Sequence, residues 1–414
     1  MKPASIGLLG VFLCTPLLAG RLAAQPNPTY SHPVIIPLKD PISPLSWAYF
    51  QRKLALAKAN QADLLVIEID SPGGTLEESL LLAEALRDVD WAKTIAYIPD
   101  KALSGAALAS LGCDEIILSS RARIGDAGII FMDRGFAFRY APEKLITDLV
   151  RRARDLAEFK GRPPALVEAM IDMDTLVFQN RQNPLAFETR RAANSGYPHR
   201  KDLETKDPNQ FQQKLDLAQW QLVEESNEGR FFEVNGVRAV ELGLGESNAD
   251  TLEDLKAELK KRLGLENEFA VYRKTLTDVV VFWLNVPIVT GLLFVIGLVA
   301  IYLEFTAPGI GIGALIAGLC FSLFFWSHFL GGTAGWLELL LFIAGLVFVI
   351  IEMFVIPGFG IPGLAGLFLV IASITMASQD FIVPQNDRQM QTLQTNLLVV
   401  VGSGCLFLVG AVFF

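Results

Sequence analysis

A serine and a lysine are the residues of this sequence whose types and spacing suit acyl transfer. Ser104 lies in a turn of small residues (KALSGAA, 101–107) that opens an apolar run. Lys144 follows 40 positions later, at the start of a helical pattern. A serine hydroxyl becomes a nucleophile when a neighbouring base removes its proton. The pair therefore suits covalent chemistry at a carbonyl carbon.

The three histidines of the chain offer Ser104 no base of the usual kind. His32 lies near the start of the chain, His199 in a polar segment and His328 in an apolar run. A Ser-His-Asp triad is disfavoured by this elimination. Lysine can replace histidine where apolar surroundings disfavour its charged form.

Lys144 is the candidate for that base. It follows residues 140–142 in a context that predicts burial, and the N-terminus of a helix disfavours a positive charge. Lys101 is too close to Ser104 in sequence to fold back onto it easily, and Lys160 has the position of a solvated residue at a helix end. The alternative is that Lys144 is an ordinary surface charge, which is what spacing alone favours.

Glycines on both sides of the candidate nucleophile suit an oxyanion hole. A strand-like run (64–69) ends in the turn DSPGG (70–74), where Gly73 and Gly74 let the backbone approach a substrate because they lack a Cβ. Backbone N–H groups here, and that of Gly105, are natural donors to an oxyanion. The alternative is a plain turn with no role in chemistry.

Two other serines compete with Ser104. Ser71 precedes a proline in the glycine turn, and Ser110 lies deeper in the apolar helix, so Ser104 is the preferred nucleophile. No metal cluster, phosphate-binding loop or dinucleotide motif is visible in the sequence. Asp126 and Asp133 are more typical of surface or gating charges than of metal ligands.

Strand and helix patterns alternate between residue 34 and about residue 130. This rhythm predicts a mostly parallel sheet with covering helices. A polar excursion of unknown role follows at about 174–229. The predicted strands are 34–38, 64–69, 94–98 and 115–118, and the predicted helices are 45–59, 75–86, 142–160 and 251–263.

Composition divides the chain into a charged domain and an apolar one. Hydrophobic residues make up 52% of the 414 residues, and the chain is almost uncharged from about residue 279. Apolar runs there are long enough to cross a bilayer. The net charge of −9, without a basic patch, argues against a nucleic-acid partner. About five spans are predicted, near 280–304, 311–330, 337–355, 359–377 and 396–414.

The first residues have the pattern of a secretory signal peptide. Lys2 precedes an apolar core, and residues 22–24 provide a cleavage site, so residues 1–24 are predicted to be removed. The alternative is an uncleaved membrane anchor. Cleavage would place the next domain outside the cytoplasm. Cys113 would be the one cysteine left in that domain, which excludes an internal disulfide framework.

A short motif occurs twice in the apolar domain. Residues 308–312 (PGIGI) recur as 357–361 (PGFGI), each preceded by a glutamate, Glu304 or Glu352, at the end of a predicted span. The repeat marks either a duplicated helix pair or two ordinary Pro-Gly turns that reverse the chain. For function, the ordinary turn is the preferred interpretation.

The chain resembles the membrane-bound serine proteases of the NfeD type, in the ClpP class. The resemblance covers most of the sequence except residues 174–229, and the motifs are specific only when taken together. They are IEIDSPGG (67–74), ALSGA (102–106), RIG (123–125), PEK (142–144), ELGL (241–244) and the two Pro-Gly-x-Gly turns.

The resemblance implies an α/β ClpP/crotonase-like spiral domain (30–266) followed by an all-α transmembrane domain (279–414). It also implies cleavage of hydrophobic segments in stomatin-like membrane proteins, contact with membrane lipid and association into homo-oligomers. The expected protein is a multi-pass membrane serine endopeptidase with an extracytoplasmic protease domain. It would need no cofactor and no metal.

Within the site, the resemblance assigns the nucleophile to Ser104 and the base to Lys144. It maps Gly73 and Gly74 onto the oxyanion and substrate-binding region. One departure is Asp126, which stands where a small apolar residue is usual; a carboxylate near a lysine base favours the protonated lysine and weakens the base. A second departure is the missing soluble β-barrel of long family members, so the barrel is absent or the sequence is truncated.

Two other functions stay open. The first is a pseudoprotease, a non-catalytic scaffold that organises stomatin-like assemblies in the membrane; Asp126 and the polar excursion favour it. The second is a crotonase-type acyl-CoA enzyme, which shares a related fold. The apolar spans and the Ser-Lys pair argue against that second function.

Overall fold

A computed structural model describes nine stretches of the chain. The predicted signal peptide (1–24) lies outside them, as do residues 192–217 of the polar excursion, Asp133 and His199. The stretches are residues 30–132, 138–191, 218–227, 229–306, 311–354, 360–379, 381, 383–384 and 387–413.

Strands and helices alternate in the first part of the chain, and helices alone follow. The strands, in chain order, are β1 (Pro33–Leu38), β2 (Leu64–Ile69), β3 (Lys93–Ile98), β4 (Lys101–Leu103), β5 (Glu115–Leu118), β6 (Arg123–Gly125), β7 (Ile130–Met132), β8 (Phe138–Tyr140), β9 (Thr175–Asn180), β10 (Phe187–Arg191), β11 (Trp220–Leu222), β12 (Glu233–Asn235), β13 (Ser247–Asn248) and β14 (Ala270–Val271). The helices are α1 (Pro44–Ala59), α2 (Leu76–Arg87), α3 (Gly105–Leu111), α4 (Glu143–Phe159), α5 (Pro164–Ile171), α6 (Gly236–Glu241), α7 (Leu252–Leu263), α8 (Leu276–Leu284), α9 (Pro287–Thr306), α10 (Ile312–Leu330), α11 (Trp336–Phe354), α12 (Ile361–Ala377) and α13 (Asp387–Phe413).

The main sheet has six parallel strands in the order β13-β5-β3-β2-β1-β14. All six residues of β2 are buried, as expected for a central parallel strand covered on both faces. Its alternate side chains enter two different cores: Leu65 and Ile67 pack on the side of α1 to α3, and Leu64 and Val66 pack against α7. This architecture confirms the predicted α/β domain with helices on both faces.

A smaller sheet, in the order β12-β6-β4, contains the strand that leads directly into Ser104. β4 pairs in parallel with β6, so that Leu103 is opposite Gly125. The N–H of Ser71 donates to the carbonyl of Lys101 at 2.9 Å. These contacts bring the turn after β2 directly to the end of β4.

Two antiparallel units extend the domain. The hairpin β7–β8 precedes α4, and the ring of Tyr140 at its end lies 5.6 Å from the ring of Phe231 in an edge-on contact. A Cβ on Gly128 would lie 2.0 Å from the same Phe231 ring, so the ring rests on the glycine backbone. The second unit is the sheet β10-β9-β11, which forms the described part of the polar excursion.

The second part of the described chain is helical, which confirms the predicted all-α domain after the α/β domain. Helices α9 to α13 occupy the positions of the predicted spans. Within the described residues, Ile312–Leu330 is long and apolar enough to cross a bilayer alone. The bent pair Leu276–Leu284 and Ile288–Glu304 meets the same length and composition only if both helices form one span.

In both copies of the repeated Pro-Gly motif, the preceding glutamate accepts hydrogen bonds from the start of the next helix, although residues 307–310 and 355–359 lie outside the described stretches. Glu304, near the end of α9, accepts a hydrogen bond from the N–H of Gly313 in α10 at 3.0 Å. Glu352, near the end of α11, accepts from the N–H groups of Gly360 and Gly363 at the start of α12. In each copy a carboxylate satisfies N–H groups that a helix start leaves without partners. The two copies thus share a glutamate that caps the start of the following helix, through different N–H groups in each copy.

An ion-pair cluster joins the two parts of the molecule. Lys53, in α1, lies 2.8 Å from Asp278 in α8, and both side chains are buried. Arg52 contacts the same carboxylate at 3.1 Å and also donates to the carbonyl of Leu330, the last residue of α10. The helical part is thus fixed beside α1.

Candidate active site

Ser104 occupies a strained turn between β4 and α3. Its φ of 54° and ψ of −126° lie in a region that residues with a side chain rarely adopt. Its N–H donates to the carbonyl of Gly125 at 3.0 Å, and its own carbonyl accepts the N–H of Ala107 at 3.0 Å. Hydrogen bonds at both its N–H and its carbonyl therefore fix the backbone of Ser104. The residue is half-buried.

The two competing serines are fully buried and hydrogen-bonded. Ser71 Oγ donates to the carbonyl of Asp40 at 2.8 Å, and Ser110 Oγ donates to the carbonyl of Ala107 at 2.7 Å. Neither hydroxyl can reach a substrate without disrupting the core. Among these three serines, Ser104 is the one that is not fully buried.

Gly73 lies against the Ser104 turn. A Cβ on Gly73 would be 2.6 Å from both the Cβ of Ser104 and the carbonyl oxygen of Leu103, and the φ of Gly73 is 91°. Its carbonyl accepts the N–H of Ile42 at 2.8 Å. Only glycine fits this close approach and this backbone conformation.

Two backbone N–H groups beside Ser104 have no hydrogen-bond acceptor in the described structure. The N–H of Gly73 donates to Ser71 Oγ at 3.2 Å and is therefore engaged. In the part of the chain that the structure describes, the N–H groups of Gly74 and Gly105 have no acceptor. A Cβ on Gly105 would lie 3.6 Å from the nitrogen of Gly74, so the two glycines are neighbours. Paired, unengaged amides next to a serine suit a developing oxyanion.

Lys144 is exposed, and the expectation that it is buried is wrong. The apolar face of α4 is formed by Ile146, Leu149, Ala153 and Leu156 at helical spacing, and Lys144 lies off this face. Among the described residues, its Nζ makes no hydrogen bond or ion pair, and no hydrogen bond joins it to Ser104. The Ser-Lys pair is therefore not assembled in this structure.

The rival lysines are both engaged elsewhere. Lys101 lies 3.5 Å from the carboxylate of Asp100. Lys160 pairs with Asp114 at 2.6 Å, and only 6% of its side chain is exposed. Its expected position as a solvated residue at a helix end is thus wrong, because the end of α4 packs on the loop before β5. Neither lysine contacts Ser104 in the described structure.

Asp126 directly follows Gly125, whose carbonyl accepts the Ser104 N–H. Asp126 has a φ of 50°, and its N–H donates to the carbonyl of Phe232 at 2.9 Å. Asp126 is an exposed residue, but neighbouring residues remove part of the water around its carboxyl group. This desolvation and the nearby Glu233 carboxylate raise the pKa of Asp126, while Arg123 opposes them. The charges that act on Asp126 thus come from β6 and β12.

Two family models match this chain. The N-terminal domain of NfeD1b matches residues 33–221, and the NfeD integral membrane domain matches residues 288–414. Both parts of the chain are thus of the NfeD type. The predicted resemblance to NfeD-type proteins is thus confirmed, and this NfeD protein is a membrane protein.

Curated relatives and solved structures resemble this NfeD protein to different extents. Membrane protein NfeD1b of Bacillus subtilis is 27% identical over 384 residues, which is 92% of this chain and 75% of the relative. The membrane-bound protease PH1510 of Pyrococcus horikoshii is 22% identical over 167 residues, 40% of this chain and 36% of its own. An alanine mutant of 1510-N, a membrane-bound stomatin-specific protease solved with a substrate peptide, is 15% identical with a TM-score of 0.43; the match covers 62% of this chain and 98% of that one.

The described histidines lie away from the Ser104 turn. His32 is exposed at the start of β1, and His328 is buried within α10. No group of three or more His, Cys, Asp or Glu side chains among the described residues could hold a metal ion. In this NfeD protein, the described groups at the Ser104 turn that suit chemistry are the serine hydroxyl and the neighbouring backbone N–H groups.

Two features of the site were not predicted from the sequence. One is the difference between the two glycines of the turn. Gly73 packs on Ser104, and its neighbour Gly74 keeps an N–H without an acceptor. The other is Ser79, whose Oγ would lie 1.9 Å from a Cβ on Gly105 and so keeps this position a glycine. The PGG and SG pairs in the sequence signal close packing, but they do not say which amide is engaged.

Proposed function

We propose that this NfeD protein is a membrane-anchored serine endopeptidase with Ser104 as nucleophile and Lys144 as base. The observation that supports this most is the setting of Ser104. It is the accessible serine of the three candidates, it sits in a strained turn, and it adjoins the unengaged N–H groups of Gly74 and Gly105. Such a setting has a use in acyl transfer and none in stabilising the fold.

The proposed reaction has two stages. Ser104 Oγ attacks the peptide carbonyl while its proton passes to Lys144 Nζ. The resulting oxyanion accepts hydrogen bonds from the N–H groups of Gly74 and Gly105. The C–N bond then breaks, and the leaving amine takes the proton from Nζ. Water then attacks the acyl ester and gives its proton to Lys144 Nζ; as the C–Oγ bond breaks, Nζ returns that proton to Ser104 Oγ and the carboxylic acid leaves.

The proposal requires Lys144 to move towards Ser104 when substrate binds. A lysine acts as a base when it is withdrawn from water, and here it is exposed on the first turn of α4. The hairpin β7–β8 leads directly into that turn, so a substrate strand beside the hairpin would shield Lys144. In catalytic sites, such contacts often tighten only in the complex.

The proposed substrates are hydrophobic segments of membrane-associated proteins, with stomatin-like proteins as the partner class. The support is the match of the chain to two NfeD domain models and the stomatin-specific protease activity named for 1510-N. The ion pair between Lys53 and Asp278 also keeps the α/β domain beside the membrane domain.

We extend the proposal to the organisation of the chain. Residues 1–24 would act as a cleaved signal peptide, residues 30–266 would form the protease domain outside the cytoplasm, and residues 279–414 would cross the membrane about five times. Copies of the chain would associate as homo-oligomers. The positions of α9 to α13 are consistent with these spans.

The second candidate function is a non-catalytic scaffold that organises stomatin-like assemblies in the membrane. One observation favours it: Lys144 is exposed and, within the described residues, makes no contact with Ser104. A scaffold needs the fold and the membrane domain but has no use for the free amides of Gly74 and Gly105.

Peptide cleavage separates the two functions. The full chain in detergent would be incubated with an apolar peptide from a membrane protein, using wild type, Ser104→Ala, Lys144→Ala and the control Lys101→Ala. A protease predicts cleavage by wild type and the control and none by the other two. Equal cleavage by all four, or by none, rejects the dyad and leaves the scaffold.

A further inference from the structure

We propose that a groove between α2 and the membrane domain binds a basic segment of the substrate, next to the apolar stretch that is cut. This inference rests on the proposed protease function and adds a specificity to it. The occupant is a polypeptide that carries lysine or arginine. The groove, called the junction groove below, is identified by its walls, its charge and a lining glutamine that has an unused hydrogen-bond acceptor.

The junction groove is a cavity of about 660 Å³ that opens beside the active-site turn. One wall is α2, beginning at Thr75, which directly follows Gly74. The opposite wall consists of Thr333, between α10 and α11, and of Ser378 and Gln379 after α12. A chain leaving the ends of the membrane helices would therefore pass along α2 towards Ser104.

The charge of the junction groove is acidic. Glu77, Leu81 and Glu84 recur at helical spacing on one face of α2 and line the cavity. Glu77 and Leu81 are exposed. Among the described lining residues, Arg152 is the one cation, and Glu84 already pairs with it at 2.6 Å. Glu77 is thus left to attract a cation from a ligand.

Gln379 supplies an acceptor that the described fold does not use. Its side chain is only 4% exposed, and its Nε2 donates to the carbonyl of Phe381 at 3.0 Å. Its Oε1 is buried and has no donor among the described residues. Buried polar atoms are rarely left without partners. A lysine ammonium or a guanidinium brings donors only, which suits this oxygen.

The same surface suits the rest of a basic side chain. Leu81 and Phe381 line the groove together with the acids, and the methylene stems of lysine and arginine pack on apolar surface while their charged ends reach polar groups. An anionic ligand such as a lipid phosphate would meet three glutamates, Glu77, Glu78 and Glu84, for one cation. The charge balance therefore selects a basic polypeptide.

A binding assay with inactive protein tests this inference separately from catalysis. The full-length Ser104→Ala chain would be placed in nanodiscs of uncharged phosphatidylcholine. Fluorescence anisotropy would follow two labelled peptides that share an apolar stretch and end either in a run of lysines or in a run of glutamines. We expect the lysine peptide to bind roughly five- to tenfold more tightly at low salt, and the difference to shrink as salt is added.

Variants place the effect in the groove. Glu77→Lys should remove most of the preference for lysine, and the isosteric Glu77→Gln should reduce it. Glu266→Lys is the matched control, because Glu266 is also exposed but lies after α7, outside the groove. Equal binding of both peptides, or an equal effect of Glu77→Lys and Glu266→Lys, would overturn the proposal. If the lysine peptide is preferred but the wild type cleaves neither peptide, the protease function fails and the groove stands.

Discussion

Gly73 and Ser104 pack so closely that a Cβ on the glycine would lie 2.6 Å from the Cβ of the serine. The two residues belong to different turns, one after β2 and one after β4. The contact therefore fixes the position of the nucleophile relative to the turn that carries the free N–H of Gly74. Because of this contact, the turn that contains Gly73 and Gly74 is part of the candidate site as well as the connection between β2 and α2.

Gly73→Ala should displace the Ser104 turn. A side chain is strained at a φ of 91° and would also meet the backbone of Leu103 at 2.6 Å. We expect about 1–3 kcal/mol of lost stability and a loss of activity of roughly a hundredfold, because a shift of about 1 Å in a reacting group has that effect. Peptide cleavage and thermal unfolding would measure the two effects.

Gly161→Ala is the matched control for that variant. Gly161 has a φ of 71°, and a Cβ there would meet no atom within 4 Å. It should show a strain of about 1 kcal/mol with unchanged cleavage. If Gly161→Ala and Gly73→Ala reduce cleavage equally, the contact with Ser104 is not what matters.

Asp126→Asn should leave the pH dependence of cleavage unchanged. The charged groups that act on the Asp126 carboxyl are Glu233 and Arg123, and the side chain is exposed to screening by salt. The rate against pH should therefore move by less than about 0.3 unit, well below the one-unit change that 1.4 kcal/mol of interaction produces. A shift of a full unit to lower pH would show that Asp126 holds the proton on the base.

The buried ion pair at the end of α4 should make stability depend on pH. Burial alone would raise the pKa of Asp114, but hydrogen bonds from Lys160 and Thr94 outweigh it and lower that pKa. A lowered folded-state pKa gives stability that is present above the ordinary aspartate value and lost as pH falls through the folded-state value. The carboxylate is 36% exposed, which limits the contribution to about 1–2 kcal/mol.

Asp114→Asn should therefore lower the free energy of unfolding at pH 7, and the difference from wild type should shrink below about pH 4. Urea unfolding of the full chain at several pH values would measure it. Asp148→Asn is the control, since Asp148 forms an exposed pair with Arg151 and should change stability little. A difference that is constant from pH 7 to below about pH 4 would contradict the assignment.

The bounds of some strands and helices could be predicted from the sequence, because residues within or next to the element determine where it begins and ends. The predicted strand 64–69 has the same bounds in the structure, because a short, fully apolar run between turn residues suits a buried parallel strand. The predicted helix 251–263 differs by one residue, since Thr251 forms a capping box with Asp254 and Gly264 ends the helix.

The environment of the lysines could not be predicted in this way. Lys144 and Lys160 begin and follow the same helix, but what surrounds each one depends on distant chain. The ammonium of Lys160 donates to the carboxylate of Asp114, 46 residues earlier in the chain. Lys144, in the first turn of α4, is exposed to solvent. Likewise, Gly73 rather than Gly74 has its N–H engaged because Ser71 Oγ is nearby, itself held by the carbonyl of Asp40.

Labelling of Ser104 by a fluorophosphonate probe, read by peptide mass, is the most direct test of the proposed dyad. We predict that the full wild-type chain is modified at Ser104 and that Lys144→Ala slows this modification by a factor of about 100 or more. Modification of Ser104 at the same rate in both proteins, or none in the wild type, would rule out the proposed dyad.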